Sequence, residues 1–182
     1  NALLSVPGIF KSKALTLSSG QQSTLIEAVN KAADDVTRDR SREGAKLEQE
    51  IRSLGQAALS LVDACERANN EHESARLVRL REILKDAGVS DEAERKLFDV
   101  PEFSRLIDAH EEVTRLRIHL NEVGSVLTRG GECGRRLDFI AQELIRESST
   151  LSAKSTAPSN AVRLTDLKVT IDRIREQSAN IA

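Results

Sequence analysis

The chain has almost no aromatic residues: four Phe, no Trp and no Tyr in 182 positions. A core must therefore be built from Leu, Ile, Val and Ala, which favours helix packed on helix. The same scarcity argues against single-stranded nucleic acid held by bases stacked on rings. Cysteine is as rare. Cys65 and Cys133 stand far apart without Cys-x-x-Cys or Cys/His spacing, so they read as reduced thiols rather than a disulfide framework or a zinc site. Proline is missing between Pro7 and Pro101, and only Gly44 and Gly55 interrupt the stretch from Gly20 to Gly88. Nothing there stops a long helix. A net charge of −2 excludes a global positive field as the means of attracting nucleic acid and leaves only a local patch. No apolar run approaches the roughly 18 residues needed to span a bilayer, and no signal-peptide pattern opens the chain. The expectation is a cytoplasmic protein.

What is present is heptad spacing. Leu47, Ile51, Leu54, Ala58, Leu61, Cys65 and Ala68 alternate steps of four and three, and Leu25, Val29, Ala32 and Val36 do so upstream. This predicts helices at about 21–68 and 72–87. Gly88 suits a C′ position, and Ser90 suits the N-cap of a short helix at about 91–98. After Pro101, the residues Leu106, Ala109, Val113, Leu116, Leu120, Val123 and Leu127 form three heptads that end at Gly130 and Gly131. Leu137, Ile140, Ala141, Leu144, Ser148 and Leu151 share one face of a further helix. The small, polar phrase 152–160 reads as a loop. Leu164, Leu167, Ile171, Ile174, Ser178 and Ile181 mark a last helix. The fold class expected is all-α, with long helices whose heptad seams form an extended bundle that oligomerises.

The run from Cys133 to Ser155, CGRRLDFIAQELIRESSTLSAKS, carries a basic pair before Leu137-Asp138-Phe139, then Gln142-Glu143, Arg146-Glu147, Thr150 and Lys154-Ser155. In this it resembles the YicC/YloC-type bacterial endoribonuclease family. Val6-Pro7-Gly8-Ile9, the segment from Arg40 to Leu47, the segment from Glu111 to Leu120 and the final helix agree in the same order. Ile145 stands where the family usually has Asn, and Ser148-Ser149 where it has Ala-Asn. The resemblance implies that residues 1–62 are the helical tail of an N-terminal domain whose front, with its strands, precedes this chain. Residues 63–100 would be a helical connection and 101–182 the C-terminal helical domain. A start at Asn1 in mid-phrase agrees with a fragment. The whole protein would be a metal-dependent endoribonuclease assembling as a homo-oligomeric ring, with a hexamer as the size considered, and RNA as its substrate.

On a helix, Arg136, Glu143, Glu147, Thr150 and Lys154 fall on one stripe beside the apolar face. Two carboxylates one turn apart repel, and either basic neighbours or a divalent ion offsets this; Mg²⁺ and Mn²⁺ favour carboxylate oxygen. A solvated face and a metal site both remain open on the residues alone. With the resemblance, Glu143 and Glu147 become metal-linked catalytic acids. The preceding helix would add Glu112 as a further ligand and His119 as a ligand or general base, although a lone His beside a seam is also an ordinary polar residue. Arg135, Arg136, Arg146, Lys154 and Arg115 are candidates for binding RNA phosphates, or plain surface partners of the acids. The rival from another class is a non-catalytic helical module for oligomerisation or RNA docking.

Overall fold

The computed structural model describes residues 17–90, 92, 93, 96, 109–131 and 133–181. Among them the regular structure is entirely helical. Helix α1 spans Ser19–Asp86, α2 His110–Arg129, α3 Gly134–Lys154 and α4 Asn160–Ser178. The two helices expected before Gly88 are one continuous element. The polar residues 69–72 contain neither Pro nor Gly, so they change the face of the helix without breaking it. Gly88 ends α1 with φ +73°. The amide of Val89 donates to the Leu84 carbonyl and that of Gly88 to the Lys85 carbonyl, the paired bonds of a Schellman ending. Beyond it the Ala93 amide donates to Ser90 Oγ at 3.4 Å, as an N-cap requires. Most of the helix expected at 91–98 lies outside the described residues, as do Pro101 and Leu106.

Two compact units divide the chain at Glu43 and Gly44. In the first, residues 18–43 are exposed throughout, including Leu25, Ile26, Val29 and Val36. The second contains the bundle. Its topology follows from which residues pair. Arg52 of α1 meets Thr128 of α2, while Asp63 and Glu66 meet Arg117, so α1 and α2 run antiparallel. Glu122 with Arg136 at one end and Glu112 with Lys154 at the other make α2 and α3 antiparallel. Asp138 pairs with Arg175, and Glu50 of α1 lies against Arg173 and Gln177 of α4, which closes the ring of four.

The core is the set of seams read from the sequence, turned inward together. Ile51, Leu54, Ala58 and Cys65 of α1 meet Val113, Leu116, Leu120 and Val123 of α2, Leu137, Ile140, Leu144 and Leu151 of α3, and Leu164, Leu167, Ile171 and Ile174 of α4. In α1 the seam takes Val62, fully buried, where the strict alternation pointed to Leu61, which is only partly buried. Two successive steps of four, from Leu54 to Ala58 to Val62, let a straight helix keep its stripe facing the bundle. Cys65 and Cys133 are free and buried, and burial pushes the Cys65 thiol above its ordinary pKa. No helix among the described residues is long and apolar enough to cross a membrane.

A polar network and a close backbone approach set the register at the two ends of the bundle. Asn160, fully buried, places its Nδ2 3.0 Å from the Cys65 carbonyl, from Asn69 Oδ1 and from Ser155 Oγ, tying the loop between α3 and α4 to α1. At the opposite end Gly134 begins α3 so close to α4 that a Cβ there would stand 2.6 Å from the Ile181 carbonyl oxygen. Only glycine fits that approach.

Arg117 joins α2 to α1 by donating to Asp63 and Glu66, each at 2.6 Å. The hydrogen bond from Arg117 holds the Glu66 carboxyl below its ordinary pKa, against the opposing effect of burial. A carboxyl depressed in the folded state stabilises fully above the ordinary carboxylate range and loses that contribution as pH falls through its lowered value. Replacing Arg117 by Met is expected to cost about 1.5–3 kcal/mol at neutral pH. Urea denaturation across the acid range should show a shallower loss of stability in Arg117→Met than in the parent.

Candidate functional site

The acids singled out in the sequence sit where α2 and α3 face each other. Glu112 precedes the seam residue Val113, and Glu147 precedes Ser148, so each carboxylate starts at the margin of the core. Both are buried, with 4% of each residue exposed. Lys154, in the last turn of α3, reaches back to Glu112 Oε1 at 2.8 Å. Arg115 donates to Glu147 Oε1 at 3.3 Å and to Glu111 Oε1 at 2.5 Å. The Glu147 hydrogen bond, followed by the Glu111 charge, raises the Arg115 pKa further above its ordinary value. Glu111, Glu112, Arg115, Glu147 and Lys154 thus form one network across the two helices.

Glu112 Oε2 is buried without a hydrogen-bond partner. So is Nδ1 of His119, which lies two turns further along α2 and comes within 3.9 Å of Glu122 Oε2. Glu122 binds the guanidinium of Arg136 through its other oxygen. Arg136 in turn lies over the ring of Phe139, 5.5 Å from its centre. A second string of side chains, His119, Glu122, Arg136 and Phe139, therefore runs outward near the turn between α2 and α3.

The structure brings Glu112 and Glu147 into one network and gives Glu143 a different setting. Glu143 is partly buried on α3 beside Arg146, 3.7 Å away. Among the described residues no three His, Cys, Asp or Glu side chains converge closely enough to hold a metal ion. Glu112, Glu143 and Glu147 therefore do not make a three-ligand set within this chain. Of the expected cations, Arg115 and Lys154 are bound to buried acids, Arg136 is bound to Glu122, and Arg135 and Arg146 are exposed. Ile145, the apolar departure from the family pattern, packs against the core. Sequence reasoning missed Glu122, and it placed Phe139 within the family motif without giving it a role. The spacing of three from His119 to Glu122 was a usable signal for the first; an outward-facing Phe leaves none in hydrophobic periodicity.

A helical bundle clamped by buried ion pairs, with exposed arginines on one helix, defines the protein as an all-α module. The family profile described as "Endoribonuclease YicC-like, C-terminal" matches residues 62–182. The chain is 31% identical to the Haemophilus influenzae protein named probable endoribonuclease YicC, over 98% of the chain and 62% of that relative. It is 26% identical to the Clostridioides difficile protein of the same name, over 87% of the chain and 55% of that relative. The chain belongs to the YicC-like endoribonuclease family, and it spans about three fifths of the length of these relatives.

Removing Lys154 takes from the buried Glu112 its direct ion-pair partner and leaves it only the electrostatic influence of Arg115. Lys154→Met is expected to destabilise the bundle by about 3 kcal/mol. The double variant Glu112→Gln with Lys154→Met should recover much of that loss, because no ion remains to be desolvated. Equal destabilisation of the single and double variants in urea would show that the pair is not coupled.

Proposed function

We propose that this chain is the helical oligomerisation and RNA-docking module of a YicC-type endoribonuclease, the part that holds RNA and copies of itself rather than the part that cuts. One observation carries the reading. The motif acids Glu112 and Glu147 are buried and bound to Lys154 and Arg115, so they bolt α2 to α3. The exposed Arg135 and Arg146 supply local positive charge despite the net charge of −2. The uncovered Leu25, Ile26, Val29 and Val36 on α1 suit contact with another copy in a ring such as a hexamer. In this reading residues 1–62 are the tail of an N-terminal domain, 63–100 a connection and 101–182 the C-terminal helical domain. The setting is the cytoplasm.

Phosphate contacts predict a salt-dependent affinity. Anisotropy of a labelled structured RNA between 50 and 200 mM salt should show tight binding at low salt. Arg135→Gln with Arg146→Gln should weaken it and flatten the log–log salt slope by about one for each phosphate no longer neutralised. Absence of RNA binding at low salt contradicts the reading.

A second reading is favoured by two atoms, Glu112 Oε2 and His119 Nδ1, both buried and without hydrogen-bond partners. Such atoms in a native protein suit a role in binding or chemistry. In this reading the protein is a metal-dependent endoribonuclease. Glu112, Glu143 and Glu147 would hold Mg²⁺ or Mn²⁺ together with oxygen atoms from outside this chain. The ion would supply charge neutralisation at the phosphate and an activated nucleophile. His119 would hold or move a proton, and Arg115, Arg135, Arg136, Arg146 and Lys154 would orient phosphates. Cleavage of RNA that requires Mg²⁺ or Mn²⁺ and drops at least a hundredfold in Glu147→Gln, with fold and RNA affinity retained, favours this second reading; under docking alone any loss of cleavage follows loss of the folded bundle or of RNA affinity.

A further inference from the structure

Phe139 is the one Phe within the described residues, and it is 51% exposed. A ring turned outward in a chain with 2% aromatic residues calls for an explanation. Arg136 covers one side of the ring, and Glu122 fixes the guanidinium by accepting from Arg136 Nε at 3.1 Å. Arg136 also lines a cleft of about 360 Å³ at the turn between α2 and α3, together with Glu122, Val126, Arg129, Gly130 and Cys133. Arg135 stands exposed one residue before Arg136. Arg136 therefore lies on the ring, Arg129 shares the adjoining cleft with Arg136, and Arg135 stands exposed one helical turn before Phe139. Among the described residues the nearby acids are engaged, Glu122 by Arg136 and Asp138 by Arg175.

We infer that Phe139 and Arg136 form a stacking platform for one base of single-stranded RNA, with Arg129 and Arg135 receiving the flanking phosphates. The inference rests on the RNA-docking reading and names where and how the docking occurs. An apolar protein partner would cover the ring but would have to desolvate the arginines, at a large cost. A nucleotide uses both, since its base offers a π face and its phosphate an anion. A duplex hides its base faces, so the platform selects unpaired RNA. The low aromatic content of the chain is compatible with this, because one preorganised ring bracketed by cations is enough for a single base.

The test uses the 182-residue chain, a labelled single-stranded oligouridylate and a blunt RNA duplex, followed by anisotropy. Phe139→Ala should lower single-strand affinity roughly 5- to 100-fold and change duplex affinity less than about twofold. Phe139→Tyr should restore single-strand binding. Phe139→Trp would be the sole Trp in the chain, and its emission should be quenched on adding oligouridylate. Equal single-strand affinity in the parent and Phe139→Ala overturns the platform while leaving RNA docking intact. Parallel losses for single strand and duplex also overturn it. So does a fall in assembled mass by light scattering with RNA affinity unchanged, which assigns the ring to contact between copies. Failure of the parent chain to bind either RNA removes the docking reading itself, and this site with it.

Discussion

A carboxylate taken out of water needs a partner, and the bundle is arranged around that constraint. Glu112 and Glu147 lie nearly as deep as the leucines beside them. Each is answered by a cation, Glu112 by the facing helix and Glu147 likewise, so that α2 and α3 exchange ion pairs in both directions. The apolar seams bring the four helices together without direction, since Leu, Ile and Val pack at several registers. The cross-helix ion pairs, the Asn160 network and the close approach at Gly134 select one register. That selection is a reason for keeping buried charges which add little net stability.

The same arrangement sorts the basic residues into two groups. Arg115, Arg117 and Lys154 are held by acids of neighbouring helices. Arg135 and Arg146 remain at the surface of α3, and Arg136 is braced against both Glu122 and Phe139. The network at the α2–α3 interface is thus structural in its engaged atoms, and its two unpartnered atoms, Glu112 Oε2 and His119 Nδ1, mark where it is incomplete. Membership of the YicC-like family places this chain beside proteins named as probable endoribonucleases.

Much of the fold is readable in the sequence because heptad positions carry a strong signal. From Ala109 to Leu127 and from Leu137 to Leu151 each residue that the spacing assigns to a seam is buried. The Schellman ending at Gly88 and the cap at Ser90 are equally plain, since glycine and serine have specific backbone roles there. The continuity of α1 is not legible in the same way, because a change in the polar pattern near Asn69 looks like a break in sequence. For the site, periodicity puts Glu143 and Glu147 on one stripe, but cannot say that the stripe's edge is buried at Glu147 and partly open at Glu143. Pairing across helices, such as Lys154 with Glu112, depends on the phase of two elements and is invisible in either alone.

If Lys154 and Arg115 already neutralise Glu112 and Glu147, a divalent ion should not displace them, even with Glu112 Oε2 unpartnered. Mn²⁺ titration followed by paramagnetic broadening of backbone amide signals tests this directly. Carboxylates neutralised by protein cations predict no localised broadening around Glu112 and Glu147 at near-stoichiometric Mn²⁺. Selective broadening of the α2 and α3 signals at those residues, abolished in Glu147→Gln, would contradict it.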